Sequence, residues 1–410
     1  DKINRFNFMT NNVEKNVGPL KDIIVADFSQ LAQGPWATQM LGDMGADIIK
    51  IEPETGDWMR HYSYGNLYPE GESISFLSFN RNKRSIALNL KDPKGNKAAI
   101  DIIAKSDILV ENFRPGVMDR FGLGYDDMIK INPKLVYCSS SGYGSSGPYL
   151  NRPGQDLLAQ SISGTAALNG LKGQMPMATA VGQADLLTSL FINQSVLAAI
   201  YSREKTGKGQ KIEANLLNSV VGFHVQEITA YLHSGSNPER SESGIPNPWL
   251  GAPYGLYHTK DGYIAIGMNS VQKLAQIVGL PKYDSKKYAS NNVIESRDEI
   301  RFAFDVVFQM KRTDEWLEIL MKEDIWCSQV NTFEEMVKDL QIKHNEMIIE
   351  IDHPVLGKVK TTGFPVWFSE TPQKIYKPAP LLNGNAKEIL KEICSYGDDI
   401  IDTFIKENNQ

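Results

Sequence analysis

Short, fully apolar runs alternate with stretches in which apolar residues recur every three or four positions, and this alternation organises most of the chain. Residues 23–26, Ile-Ile-Val-Ala, form a β-branched run, and Trp36, Met40, Leu41 and Met44 then follow helical spacing before the strand-like run 47–52. Strand, helix and strand within about 30 residues make a βαβ unit. The pattern recurs. Residues 85–90 read as a strand, Asp92 and Pro93 as the cap and first turn of a helix, and 107–111 as the next strand. A further strand, 134–138, leads into the Ser/Gly-rich stretch 139–148. Buried strands alternating with helices predict an α/β fold with a parallel, doubly wound sheet. Ligands bind such sheets beyond the carboxyl ends of the strands, which directs attention to the loops after Ala26, Glu52, Glu111 and Cys138.

Farther along, residues 188–203 carry a long helical pattern that ends at the turn residues Thr206, Gly207, Lys208 and Gly209. The composition shifts at 234–253, rich in Ser, Asn, Gly and Pro, and a strand-like run follows at 262–266. An amphipathic helix around Trp316 and Leu320 continues a second, smaller α+β domain to about Val330. Residues 352–368 alternate in strand fashion, and 385–396 read as a closing helix. The predicted division is a large domain over 1–190, a linker helix region over 191–230, the small domain over 231–330 and a return segment over 331–410 that completes the large domain. A chain of 410 residues favours more than one core.

Charge and cysteines narrow the function. The net charge of −6, spread over 43 basic and 49 acidic residues without long single-sign blocks, argues against nucleic acid or an anionic membrane as the main partner. Cys138, Cys327 and Cys394 are odd in number and far apart, and the six histidines show no metal-ligand pairing. No metal is expected, and a reducing compartment fits the thiols. No apolar run approaches the ~18 residues of a membrane span, and residues 1–16 are a polar tail, so a cytoplasmic protein is expected. A nicotinamide or flavin dinucleotide lacks its fingerprint, because the first strand is followed by Leu31-Ala32-Gln33-Gly34-Pro35 rather than Gly-x-Gly-x-x-Gly.

One acid stands out. Asp156 follows the turn Pro153-Gly154 and precedes an apolar helical run, which places it at or near a helix N-terminus. The helix dipole and backbone N–H groups there favour the ionised form, the form a carboxylate nucleophile needs. The same pattern also describes a plain helix cap.

Several motifs share one order. Gly45-Ala46-Asp47-Ile48-Ile49-Lys50-Ile51-Glu52-Pro53, Asn80-Arg81-Asn82-Lys83-Arg84-Ser85, Glu111-Asn112-Phe113-Arg114-Pro115-Gly116 and Gly142-Tyr143-Gly144 precede Asp156 or flank it. Arg203-Glu204-Lys205-Thr206-Gly207-Lys208-Gly209-Gln210, Asp352-His353-Pro354 and Pro378-Ala379-Pro380-Leu381-Leu382 follow. With these in place the chain resembles the family III CoA-transferases of CaiB/BaiF type, including the formyl-CoA transferases, over nearly its whole length. The resemblance implies a Rossmann-like large domain, two interlocked subunits, and an enzyme that moves CoA from an acyl-CoA to a free carboxylic acid. No tightly bound cofactor is implied, since CoA is itself a substrate. By motif, Asp156 is the catalytic aspartate, which would attack the thioester as a carboxylate and form a mixed anhydride. By motif position, Lys83, Arg84, Asn112, Phe113, Arg120 and Tyr143 resemble CoA contacts, because the diphosphate and 3′-phosphate of CoA need a local basic pocket. Trp36, Trp58, Tyr143 and Trp249 are candidates for an acyl pocket, although lone aromatics are more often core.

Three departures bear on the reading. Formyl-CoA transferases carry Val-Gln-Ala-Gly-Pro in the first loop, so Gln33, displaced by one place, is a second catalytic candidate. Residues 245–254 lack the glycine run those enzymes use to cover the intermediate, which weakens an oxalate or formate specificity. Asn383-Gly384-Asn385-Ala386 stands where the family has Gly-Glu-His-Thr. An α-methylacyl-CoA racemase of the same fold is the main rival, but it needs a histidine where this chain has Gln155, and an amide cannot shuttle a proton. Asp185, the other member of that pair by motif, is then read as structural. A non-catalytic CoA-binding protein is the third possibility, distinguished by the lack of a covalent adduct.

Overall fold

Strand positions pack both faces of one sheet. The structure, a computed structural model, describes residues 17–290 and 292–408, and the polar stretch 1–16 lies outside them. The chain forms two units, one built from residues 1–159, 183–220 and 341–410, the other from 160–182 and 221–340.

In the first unit β1 (Ile24–Asp27), β2 (Asp47–Glu52), β3 (Lys83–Ala87), β4 (Ile108–Glu111), β5 (Val136–Ser141) and β6 (Gln210–Asn215) form a six-stranded sheet in the order β3-β2-β1-β4-β5-β6. Every pairing is parallel. Successive side chains leave a strand on opposite faces, and the cores divide accordingly. Ala26, Ile49, Leu109 and Tyr137 join Ala98, Ala99, Ile102 and Ile103 of α2 (Pro93–Lys105) on one face. Val25, Ile48, Ile108, Val110 and Val136 meet Ala37 and Leu41 of α1 (Gln33–Asp43) on the other, with Ile192 and Val196 from the helix Gln183–Thr206. Each fully buried Val, Leu or Ile among them contributes roughly 1.5–3 kcal/mol. The doubly wound parallel sheet is as the alternation predicts.

Differences in detail have physical reasons. The third strand begins at Lys83, two residues earlier than the apolar pattern suggests, because Lys83 and Arg84 enter the interior as ion pairs. The sixth strand, Gln-Lys-Ile-Glu-Ala-Asn, has no apolar run to signal it: it is an edge strand exposed at Gln210, Lys211 and Glu213. The run 352–368 resolves into an antiparallel hairpin, Ile348–His353 with Gly357–Thr362. The closing helix is shorter, Ala386–Glu392, and a further helix covers Asp398–Asn408.

The opposite edge, β3, is sealed by residues 383–392. Ser85 N donates to Asn385 Oδ1 at 3.1 Å and Ala87 N to Asn383 Oδ1 at 2.9 Å, while Asn385 N donates to Ser85 O at 3.0 Å. The two asparagines of the unusual Asn-Gly-Asn-Ala sequence thereby stand in for a seventh strand. Arg84 fastens the same segment through Glu388 at 2.8 Å and Glu392 at 2.9 Å.

In the second unit a three-stranded antiparallel sheet, β7 (Gly255–His258), β8 (Tyr263–Ile266) and β9 (Cys327–Gln329), packs on helices Val271–Val278, Arg297–Phe308 and Thr313–Lys322. Tyr257, Phe304, Phe308 and Trp316 form its aromatic centre, and Trp316 Nε1 donates to Phe308 O at 2.7 Å.

Candidate active site

Strands run outward from the middle of the first unit's sheet: β1 leads to β2 and β3 on one side, β4 to β5 and β6 on the other. The crevice between β1 and β4 is the switch point where such sheets bind ligands. Asn112, just past β4, closes it with two hydrogen bonds to Gln30 just past β1, accepting from Gln30 N at 2.7 Å and donating to Gln30 O at 2.7 Å.

Asp156 is the first residue of α3 (Asp156–Ile162). The loop before it is fixed by contact between Gly142 and Gly154, where a Cβ on either would come within about 2.5 Å of the other's Cα. Its carboxylate reaches a second helix. Asp156 Oδ1 accepts Ala184 N at 2.6 Å and Asp185 N at 3.1 Å, the first-turn amides of α4 (Gln183–Thr206). These are orphan donors of a 24-residue helix, which the Asp156 carboxylate satisfies.

Asp185 shares that helix N-terminus. Burial, and then the charge of Asp156, push its carboxyl up to about 7. No hydrogen bond reaches this carboxyl from the described residues. Two acids therefore meet at one point with opposite treatment: Asp156 accepts backbone N–H bonds, while Asp185 is desolvated and strongly proton-binding. Its motif position alone gave Asp185 no more than a structural reading. The signal that sets Asp185 apart is the proximity of the two acids in space, which sequence spacing does not reveal.

Gln33 is joined to this point. Its carbonyl accepts from Ser189 Oγ at 2.6 Å, and that same hydroxyl lies 3.0 Å from Asp185 O. Its side-chain Oε1 accepts from Ser140 Oγ at 2.9 Å, at the carboxyl end of β5. The amide NH2 is left without a partner among the described residues.

The candidate CoA contacts separate. Lys83 is fully buried, donating to Asp27 Oδ2 at 2.9 Å, Asn80 Oδ1 at 2.9 Å and Pro35 O at 2.8 Å. Burial, with help from the Lys50 charge, lowers its ammonium to about 8 against the pull of Asp27. Arg84 is spent on Asp47, Glu388 and Glu392. Neither presents its charge to a phosphate; both hold the sheet. The Asn112 side chain is likewise engaged with Gln30, and Phe113 packs against the sheet core. Arg120, by contrast, is exposed at the end of the helix Val117–Arg120 and has no carboxylate partner among the described residues. Tyr143 is partly buried against the edge of Tyr149, whose ring also carries the Arg152 guanidinium at 3.8 Å. Arg152, four residues before Asp156, is an exposed cation that no motif had singled out.

Under these loops lies a buried charge network. Lys50 pairs with Asp57 at 2.8 Å and donates to Ser29 O at 2.9 Å. Asp57 Oδ1 accepts Leu31 N at 3.2 Å. Asp27 accepts from Ser29 N at 3.0 Å and from the Ser29 hydroxyl. Burial alone would raise Asp27, yet Lys83 and Lys50 hold it down at about 2. The β1–α1 loop is thereby tied to the segment that follows β2. No cluster of three or more His, Cys, Asp or Glu suited to a metal occurs among the described residues. By length and composition α4 could cross a bilayer, a property the expected absence of any long apolar run had missed, but here one face of it packs into the sheet core.

A family model described as CoA-transferase family III matches residues 20–386. The chain is 36% identical over 393 residues to the succinyl-CoA:glutarate CoA-transferase of Mus musculus, covering 94% of this chain and 89% of that relative. It is 31% identical over 406 residues to the formyl-CoA:oxalate CoA-transferase of Bradyrhizobium diazoefficiens, covering 92% of this chain and 94% of that one. A solved CAIB/BAIF family protein from Brucella suis superposes with a TM-score of 0.81 at 31% identity, over 92% of this chain and 100% of that one. A doubly wound sheet with a carboxylate pair at its carboxyl edge, and matches that run almost end to end, make this chain a member of CoA-transferase family III.

Proposed function

We propose that the protein transfers CoA from an acyl-CoA to a free carboxylic acid through a covalent aspartyl intermediate formed on the Asp156/Asp185 pair. The observation that carries the reading is the unequal treatment of the two acids. A carboxylate whose oxygen already accepts two N–H bonds has its lone pairs engaged and is a poor nucleophile. One stripped of water and hydrogen bonds is more basic and attacks better. The attack expected of Asp156 from its motif is therefore reassigned to Asp185, and Asp156 becomes the group that fixes the N-terminus of α4.

In the proposed cycle a carboxylate oxygen of Asp185 bonds to the thioester carbonyl carbon and the C–S bond breaks, giving a mixed anhydride and CoA thiolate. The thiolate attacks the aspartyl carbonyl, the first acid leaves as its carboxylate, and an aspartyl-CoA thioester remains. The acceptor carboxylate displaces the thiolate from that thioester, and the returning thiolate takes the new acyl group, freeing Asp185. The Gln33 NH2 is proposed to donate to a developing oxyanion, with Ser140 holding its other end. Arg120 and Tyr143, together with Arg152, are proposed to meet CoA, and Phe113 to back them. The relatives' names specify succinyl, glutarate and oxalate groups, which favours a dicarboxylic acid as acceptor. A homodimer is proposed on the apolar surface that α4 leaves uncovered, where Leu190 is 48% and Tyr201 68% exposed.

The racemase reading has no support from position 155, since Gln155 is exposed and holds no acid–base group. The test is incubation with a panel of acyl-CoAs, trapping with hydroxylamine and peptide mapping. Modification of Asp185 is expected. Absence of any adduct, together with deuterium exchange at the substrate α-carbon, would overturn the transferase reading.

A further inference from the structure

Three aromatic side chains between β2 and β3 stand in solvent rather than in a core. Trp58 is 55%, Tyr62 42% and Tyr64 65% exposed. They are nonetheless ordered against one another. Trp58 and Tyr62 stack with centroids 5.0 Å apart and planes 15° apart, and Tyr62 meets Tyr64 edge-on at 6.2 Å and 87°. Their backbone is fixed: Asp57 caps the turn Trp58–Arg60 through Met59 N at 2.9 Å, and Tyr64 N donates to Ser75 Oγ at 2.9 Å. Exposing stacked rings on a rigid turn forgoes the burial that aromatics normally supply, so the surface has a use in contact with something apolar.

Their position says what. Asp57, the residue before Trp58, holds Leu31 of the β1–α1 loop; two residues on, Gln33 is bridged by Ser189 to the first turn of α4, where Asp185 sits. The Tyr64 phenol is itself within electrostatic reach of the acids: burial, then Tyr62, Asp185 and Asp156 raise its affinity for its proton. The hydroxyl has no partner among the described residues.

We infer that Trp58, Tyr62 and Tyr64 form a shelf against which the acyl chain of the substrate lies, making the enzyme select acyl groups that contain a hydrocarbon segment over one- and two-carbon acyl groups. This rests on the proposed transferase reading. Trp58 alone of these was a sequence candidate, and its stacking partner supplies the reason it is not core. The shelf is open and flat, so it rewards CH2 groups and sets no tight upper limit on shape. A CH2 group taken out of water is worth ~0.8 kcal/mol, or about fourfold in kcat/KM when it is covered in the transition state.

The experiment is to measure kcat/KM for acetyl-, butyryl- and hexanoyl-CoA, and for succinyl-, glutaryl- and adipyl-CoA, with a fixed acceptor. Wild type and Trp58→Ala, Tyr62→Ala and Tyr64→Phe variants are compared. Wild type is expected to gain about fourfold per covered CH2. Tyr62→Ala and Trp58→Ala are expected to flatten that slope below about twofold per CH2, with a larger loss for hexanoyl-CoA than for acetyl-CoA. A flat slope in wild type, an unchanged slope in the alanine variants, or an equal loss for every acyl group would each overturn the shelf. If instead wild type forms no adduct with any acyl-CoA, the transferase reading itself fails. Tyr64→Phe separates ring from hydroxyl: retained slope assigns the selection to the ring faces, and a lost slope overturns a purely apolar shelf.

Discussion

Replacing Asp156 by Asn tests the division of labour between the two acids more directly than removing either one. Asparagine keeps an acceptor oxygen where Asp156 Oδ1 takes Ala184 N at 2.6 Å and Asp185 N at 3.1 Å, so α4 stays capped. What disappears is the negative charge. In wild type Asp185 is pushed to about 7 from an ordinary value of 3.8, first by burial and then by Asp156. A nucleophile of that kind is about one-tenth ionised at pH 6 and about nine-tenths at pH 8, so the rate of adduct formation is expected to rise about tenfold between them. In Asp156→Asn burial alone remains, and the midpoint moves to lower pH. The assay is single-turnover adduct formation with an acyl-CoA, followed by intact mass from pH 5 to 9. The amide also raises the rate below pH 6, where wild type is mostly protonated. A wild-type profile flat over this range, a midpoint unmoved by the substitution, or an adduct mapped to Asp156 would refute the reasoning.

The same shift makes Asp185 a cost to folding. Its folded pKa is above its unfolded one, so its favourable contribution is complete below about pH 4 and is lost as pH rises through 7. Asp185→Asn is therefore expected to abolish the adduct yet stabilise the fold at pH 8, by up to about 4 kcal/mol, with little gain at pH 4; equal stabilities at pH 8 in a urea titration would contradict it. Asp27 runs the other way: held at about 2, it contributes about 2 kcal/mol above pH 4 that is lost as pH falls through 2. Lys83→Met leaves Asp27 buried with one cation fewer, and a loss of about 3 kcal/mol is expected by chemical denaturation; a loss under 1 kcal/mol would show that Lys50 alone balances the site. Gly154→Ala pushes a Cβ to within 2.4 Å of Gly142 Cα, so adduct formation is expected to fall more than tenfold with the circular dichroism spectrum unchanged.

How much of this was legible in the sequence depends on what each residue faces. The first five strands announce themselves because both faces of a parallel sheet are buried and the runs are apolar. Lys83 hides the start of β3, since a buried ion pair reads as surface, and the edge position of β6 removes its signal altogether. At the site, Asp156 is visible from its Pro-Gly turn, but its partner amides lie 28 and 29 residues away. The role proposed for Asp185 depends on that contact, and the stacking of Trp58 on Tyr62 depends on the turn between them. Motif position alone suggested phosphate contacts for Lys83 and Arg84, whereas depth in the fold assigns them to the framework. The Asn383–Asn385 departure, opaque as sequence, becomes a strand mimic once β3 is seen to be an edge.

That mimic has a consequence for biosynthesis. Ser85 and Asn385 are separated by 300 residues, so a nascent chain keeps β3 unsealed until those further residues have been added. At a translation rate of 5–20 residues per second this interval lasts on the order of 15–60 s. Throughout it a parallel sheet presents a free edge able to pair with a neighbouring chain. Yield in the cell is therefore set in part by how well chaperones shield one strand, and premature stops before Asn383 produce chains that carry that edge permanently.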